Sequence, residues 1–242
     1  EKKGIKFKTN SDTEVLLQTY ILYGEKCVEH FDGMWSFAIF NKKEQKIFLS
    51  RDRFAEKPLY YTIQPEGIYF GSQISFIKSL SNKKFEINKG KINQFLSLGP
   101  KPIFKNNETF YKNIHLLGYS ENLSCNNNLD IKIKKYWTPK FKIDKNIKSK
   151  EAIEEIKRLL IDTVKLRTRA DVPVAFCLSG GVDSGSLASI ASKELNNKIK
   201  TFSIIDEDLR YNELENVHKV VNDLNCEHEI IFIKKNNFIE NL

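Results

Sequence analysis

No stretch of this 242-residue chain approaches the roughly 18 consecutive apolar residues that a membrane-spanning helix needs. The best apolar runs, such as Trp35 to Phe40, have only the length of a strand. Cysteine is scarce, and Cys27, Cys125, Cys177 and Cys226 lie far apart with no CxxC spacing. That pattern points to neither a zinc site nor a redox pair. Scattered single cysteines without a signal peptide fit a reducing compartment, so a cytoplasmic protein is expected. Cys177, inside an apolar run, reads as a small core residue. Eleven glycines and six prolines are too few for a collagen-like or low-complexity chain. Methionine is nearly missing too: the sole one is Met34, and the chain opens Glu1-Lys2-Lys3. An internal piece of a longer protein is therefore expected.

What is present is core material. Hydrophobic residues make up 40% and aromatics 12%, which excludes general disorder. The net charge of +8 is unevenly placed. Residues 1–150 carry 27 basic and 15 acidic side chains, whereas residues 151–242 carry 12 and 16. A basic half invites a nucleic-acid reading. Only six of the basic residues are Arg, the bidentate reader of phosphate and guanine, and the Lys are scattered among Asn and Ile. Dispersed solubilising charge is the better account, with no nucleic-acid partner and no membrane.

Along the chain, Ser11-Asp12-Thr13-Glu14 predicts a helix start with Ser11 or Asp12 as cap, Val15, Leu16, Thr19, Tyr20 and Tyr23 on one face, and Gly24 as stop. Strands are expected over Gly33 to Asn41 and Ile47 to Ser50, then over Leu59 to Ile63 and Ile68 to Gly71 around Pro65-Glu66-Gly67. Short helices follow through Phe76 and Leu80 and over Asn88 to Leu98, then short strands over 101–136. Residues 138–148 are Lys-rich and non-periodic and read as a linker. From Ser149, a candidate cap, Ile153, Ile156, Leu160, Val164 and Arg167 recur at helical spacing. A β-α-β-α-β run then has strands at Val172 to Leu178, Ile199 to Ile205 and His228 to Ile233, and helices at Asp183 to Asn196 and Asn212 to Leu224. Such alternation predicts a parallel sheet covered on both faces.

The sharpest feature is Leu178-Ser179-Gly180-Gly181-Val182-Asp183-Ser184, at the first strand–helix joint of that run. Ligands of open α/β sheets sit at such joints, where a helix N-terminus offers N–H groups to an anion. Two glycines let the backbone approach phosphate closely, and Ser179 and Ser184 add hydroxyls. A carboxylate beside phosphate makes sense if Mg²⁺ bridges Asp183 to the phosphate oxygens. A Walker A loop is excluded because no Lys follows the glycines, and a nucleophile elbow because position 182 is Val. The plainer alternative is a Gly-Gly turn with Asp183 as helix cap.

This heptad resembles the pyrophosphate loop of the ATP pyrophosphatase superfamily. Leu166-Arg167-Thr168-Arg169-Ala170-Asp171-Val172-Pro173-Val174 resembles the entry to the synthetase domain of glutamine-hydrolysing asparagine synthetases. Thr201-Phe202-Ser203-Ile204 and Tyr211-Asn212-Glu213 are similar to that family's next strand and turn. Upstream, Ser11 to Leu16, Phe31-Asp32-Gly33-Met34-Trp35-Ser36-Phe37-Ala38, Arg51-Asp52-Arg53-Phe54, Lys57-Pro58-Leu59-Tyr60 and Lys135-Tyr136-Trp137 resemble its glutaminase domain. The resemblance implies an α+β unit, the latter part of an αββα N-terminal-nucleophile hydrolase, over 1–137. It implies the first part of a Rossmann-like α/β synthetase domain over 149–242.

It also implies an ATP- and Mg²⁺-dependent ligase acting on small-molecule substrates: ammonia from glutamine attacks a β-aspartyl adenylate, giving asparagine, AMP and pyrophosphate. Ser179, Gly180, Gly181, Asp183 and Ser184 would hold phosphates, with Asp183 as the metal ligand. Leu178 and Ile204 would line the adenosine pocket, strand core being their plainer reading. Asp12 would bind the α-amino group of glutamine, and Arg51 and Asp52 would form a structural ion pair. The family's nucleophile is a first-residue Cys, but Glu1 stands first here and Cys27 lies on the wrong element, so the chain alone is expected to be inactive. Ala55, where Gly is common, Gln73, Leu117 and Gly185 depart from the family pattern. They leave open an acceptor carboxylate other than aspartate, for instance in surface-sugar biosynthesis. A non-catalytic nucleotide-binding protein is the alternative from another class. The oligomeric state is open, a homo-oligomer included.

Overall fold

In the computed structural model, which describes residues 4–100, 106–206 and 213–233, the first element is helix α1 (Asp12–Tyr23). Ser11 is its cap, its hydroxyl accepting from the Thr13 N–H at 3.2 Å, and Gly24 closes it with φ +57°. The predicted face is only half-buried, and Val15 is exposed. A 3-10 segment, Gly24–His30, follows. Then come β1 (Ser36–Asn41), β2 (Lys46–Arg51), β3 (Tyr60–Gln64), β4 (Gly67–Gly71), α2 (Ile74–Ser81), α3 (Lys89–Leu98), β5 (His115–Leu116), β6 (Glu121–Asn126) and β7 (Ile131–Lys135).

The chain divides into two units, Glu1–Phe141 and Lys142–Leu242. Among its described residues the first holds two antiparallel sheets, ordered β1-β2-β6-β7 and β4-β3-β5. Strand β2 is the pivot, because its alternation feeds two cores. Phe48 joins Cys27 and Val28, with Tyr20, Trp35 and Phe37 against them. Leu49 points the other way, into a cluster with Leu59, Tyr61, Leu117, Leu123 and Cys125. Both predicted hairpins are in place, with Ile39 opposite Phe48 and Thr62 opposite Tyr69.

At the end of β2 the expected Arg51–Asp52 ion pair is replaced by backbone capture. The Arg51 guanidinium donates to the carbonyls of Lys57 (2.6 Å), Leu117 (2.6 Å) and Ala55 (2.8 Å). The wholly buried Asp52 carboxylate accepts from the N–H groups of Phe54, Glu56, Lys57 and Trp35 at 3.0, 2.9, 2.9 and 3.3 Å. A charged side chain held this way needs no ionic partner. The captured turn places Ala55 at φ +58°, where an L side chain is strained. Ala55→Gly is therefore expected to stabilise the unit by about 0.5–1 kcal/mol, the relief exceeding glycine's added unfolded-state freedom. A urea titration that shows a lower midpoint would refute it.

The second unit begins with α4 (Ser149–Arg167), followed by β8 (Ala175–Cys177), α5 (Val182–Ser189), a π turn at Ile190–Glu194, β9 (Lys200–Asp206), α6 (Leu214–Leu224) and β10 (Glu227–Ile233). Residues 138–148 carry no helix or strand. Ser149 is not the cap but the first helical residue. The cap is Lys148, whose N–H donates to Glu151 at 3.4 Å. The predicted start of α6, with Asn212, lies outside the described residues, as does Tyr211.

The three strands form a parallel sheet in the order β8-β9-β10, with Phe176, Thr201 and His228 in register. Coverage on both faces is not found among the described residues. Val164, Ala188, Ala191 and Leu224 from the helices gather on the side of Leu178 and Phe176. Ile204 and Ile231, paired on the opposite face, are 63% and 53% exposed. Cys177 belongs to that open face and is exposed, so it is no core residue. Along α4 only Val164 is buried, while Ile153, Ile156 and Leu160 remain exposed. Periodicity marks a face as apolar; it does not say which element covers it.

Candidate functional site

Two sites can be built from the residues upward, one in each unit. In the second, β8 ends at Cys177, Leu178 adds one more bond to the sheet (its N–H to the Phe202 carbonyl, 2.7 Å), and Ser179–Gly181 turn the chain into α5. Gly180 carries φ +75°, and a Cβ there would stand 3.0 Å from Asn216 Cβ and 3.2 Å from Glu213 Cβ. Glycine is thus required twice over, by dihedral and by the close approach of the α6 end. Gly180→Ala is expected to cost about 1–2 kcal/mol of stability from the dihedral alone. A urea titration with an unchanged midpoint would count against this geometry.

The loop is tied internally by its two serines. The Ser184 hydroxyl lies 3.2 Å from both the Ser179 N–H and the Ser179 hydroxyl, and 3.3 Å from the Gly181 carbonyl. Gly181 is the N-cap of α5, with no side-chain cap bond, so Asp183 does not act as a cap. It is exposed on the first turn. Exposed hydroxyls, a glycine backbone, a helix N-terminus and one carboxylate are together the donor set a Mg²⁺–polyphosphate takes. Among the described residues no cluster of three His, Cys, Asp or Glu offers a self-contained metal cage. A cation here would depend on phosphate oxygens for its other ligands.

Leu178 and Ile204 are not brought together by their side chains. Leu178 is 3% exposed in the core, and its carbonyl accepts from the Ser203 hydroxyl at 2.7 Å. Ile204 projects from the opposite face of the sheet.

In the first unit, a cleft of about 570 Å³ opens where α1 meets the approach to β1. Because Ser11 takes the cap, Asp12 stands on the cleft wall, its carboxylate 3.4 Å from the Thr13 hydroxyl. Facing residues are His30, Asp32, Trp35 and Lys57. These were not singled out one by one from the sequence, although Asp32, Trp35 and Lys57 lie within the stretches that carry the resemblance. Two carboxylates and a lysine around one cleft suit a zwitterion such as an amino acid. Cys27 does not line it. Its thiol is wholly buried, and desolvation raises its pKa to about 11. A thiolate is therefore disfavoured at neutral pH.

Residues 1–137 match the family model of the glutamine amidotransferase domain, and the chain belongs to that family. Residues 155–242 match the asparagine synthase model, so the two models that the motifs resembled occur in tandem. A provisionally named asparagine synthetase [glutamine-hydrolyzing] 2 of Methanocaldococcus jannaschii is 37% identical over 99% of this chain and 46% of its own length. Asparagine synthetases [glutamine-hydrolyzing] 1 and 3 of Bacillus subtilis are 34% and 32% identical over 89% and 84% of the chain, each with 33% of its length covered. The chain thus spans half or less of these relatives. Among solved structures, a glutamine phosphoribosylpyrophosphate amidotransferase from B. subtilis aligns with TM-score 0.39 at 12% identity, covering 100% of this chain and 46% of that one. That likeness carries no argument about fold. No helix among the described residues is long and apolar enough to cross a membrane.

Proposed function

We propose that the whole protein is a glutamine-hydrolysing asparagine synthetase, a cytoplasmic ATP-dependent carbon–nitrogen ligase. In this reading residues 1–137 belong to a glutaminase domain of αββα type, 138–148 are the linker, and 149–242 open a Rossmann-like synthetase domain. Glutamine is hydrolysed in the first domain and ammonia passes to the second. There the β-carboxylate of aspartate attacks the α-phosphorus of ATP and expels pyrophosphate. Ammonia then attacks the acyl carbon, and AMP leaves with formation of asparagine.

The chain's own part in this is binding. Asp12 pairs with the α-amino group of glutamine. The Ser179, Gly180, Gly181 and Ser184 loop donates hydrogen bonds to the pyrophosphate, an electrostatic role. Asp183 holds Mg²⁺, which supplies charge neutralisation there when bound. Leu178 flanks the nucleotide through its backbone and Ile204 through its side chain. The observation that carries the reading is the glycine-serine-aspartate joint at the end of a parallel strand, downstream of an amidotransferase family match.

The test is an assay of the full-length protein with glutamine, aspartate and ATP, quantifying AMP and asparagine. Equimolar products are expected. AMP without asparagine would move the acceptor to another carboxylate, for which the departures at Ala55, Gln73, Leu117 and Gly185 leave room. ATP binding without AMP from any carboxylate would favour a non-catalytic nucleotide-binding protein.

A further inference from the structure

Among the described residues of the first unit the buried charges of Arg51 and Asp52 are fully engaged. Arg53, itself only partly buried, differs from them at one atom. Its Nε is fully buried, and among the described residues no hydrogen bond or ion pair reaches its guanidinium. The group lies 5.9 Å from the centroid of the Trp137 ring, at a cleft of about 610 Å³ that shares no lining residue with the Asp12 cleft. A second cation stands in the same cleft, Lys135, with Nζ 3.5 Å from the Tyr119 ring centroid. Phe54, two-thirds exposed, meets the Trp137 ring edge-on at 5.4 Å. The other charges in the cleft are engaged: Arg51 with three carbonyls, and Glu121 with the Gly118 N–H (2.8 Å) and the Asn107 amide (3.2 Å).

We propose that this cleft binds a flat, nucleotide-sized anion, its phosphate against Arg53 and Lys135 and its ring against Phe54 and Trp137. Arg53 Nε is sealed from solvent, so an anion would meet this partly exposed side chain at its terminal guanidinium nitrogens, which are donors only. Glu121 stands opposite Lys135 in the β6–β7 register but turns its carboxylate to Gly118 and Asn107 and forms no ion pair with either cation. Arg53 and Lys135 are thus open to an anion, while the indole and phenyl rings suit a planar body. The volume lies within the range of small-molecule sites. This site is distinct from both the amino-acid cleft and the Ser179–Ser184 loop, and it does not depend on the proposed reaction.

The experiment is a titration of the full chain, labelled with 5-fluorotryptophan, with AMP. The chain has two tryptophans, Trp35 in the amino-acid cleft and Trp137 here. The Trp137 signal is assigned by its loss in Trp137→Phe. AMP is expected to shift Trp137 with half-saturation at about 0.1–1 mM, the weak affinity of an open site. Trp35 should stay in place. Arg53→Met should weaken the response at least tenfold. Lys135→Gln, a surface change outside the core, should weaken it about threefold. Adenosine and inorganic phosphate alone should each bind more weakly than AMP. A Trp137 signal that does not move up to about 10 mM AMP overturns the proposal. So does a response equal to wild type in either cation variant, provided the Trp35 signal certifies the native fold.

Discussion

Asp52→Ala is expected to lower the stability of the first unit by about 3–5 kcal/mol, enough to leave much of it unfolded. The carboxylate is wholly buried and gathers four backbone N–H groups, three from the turn after β2 and one from Trp35. Alanine strands all four donors, each costing about 1–3 kcal/mol unless water enters. It also removes the tie between the turn and the approach to β1. Asp52→Asn keeps one acceptor oxygen and should fall between wild type and alanine. Urea titrations of the three proteins decide it, and a loss below about 1 kcal/mol for alanine would contradict the assigned network. Trp35 and Lys57, whose N–H groups are both held by Asp52, line the Asp12 cleft. If the Asp12 cleft takes glutamine as proposed, its affinity for glutamine should fall with stability in any variant that remains folded.

On the proposed function, Asp183→Ala should abolish AMP formation in the full-length protein while leaving glutamine hydrolysis measurable. The side chain is exposed on the first turn of α5 and supports no helix cap, so its removal should not disturb the fold. In the proposed reaction, loss of a carboxylate that would hold Mg²⁺ beside the departing pyrophosphate is worth several kcal/mol of transition-state stabilisation, about a hundredfold or more in rate. Parallel assays of glutaminase and AMP release separate the two activities. An equal fall in both would mean a folding defect, and no fall in AMP release would remove Asp183 from the site.

Local chemistry made much of this legible. Ser11 and Gly24 bracket α1 because a hydroxyl and a left-handed glycine answer unsatisfied helix-end groups. The β1–β2 and β3–β4 hairpins follow from alternating apolar residues around short polar turns. The Ser179–Ser184 loop falls at a strand–helix joint, as its glycines require. What stayed hidden depends on partners distant in sequence. Asp52 looked like an ion-pair member because its acidity was visible and its four N–H donors were not. Cys177 looked like core because apolar neighbours in sequence do not reveal which sheet face stays open. The walls of the Asp12 cleft come from α1, the approach to β1 and Lys57, segments that only tertiary structure brings together.

The placement of β2 also sets an order of events. Its pairing with β1 spans a four-residue turn, whereas its other neighbour, β6, arrives only with Glu121–Asn126. On a ribosome the hairpin can form as soon as Arg51 has emerged. One edge of β2, and the Leu49 side of its core, must wait for β6, with β3 and β5 likewise meeting late. Long-range pairing of this kind slows folding and leaves strand edges open meanwhile. The nascent chain thus passes through a window, from the emergence of Arg51 to that of β6, in which a half-built sheet is exposed.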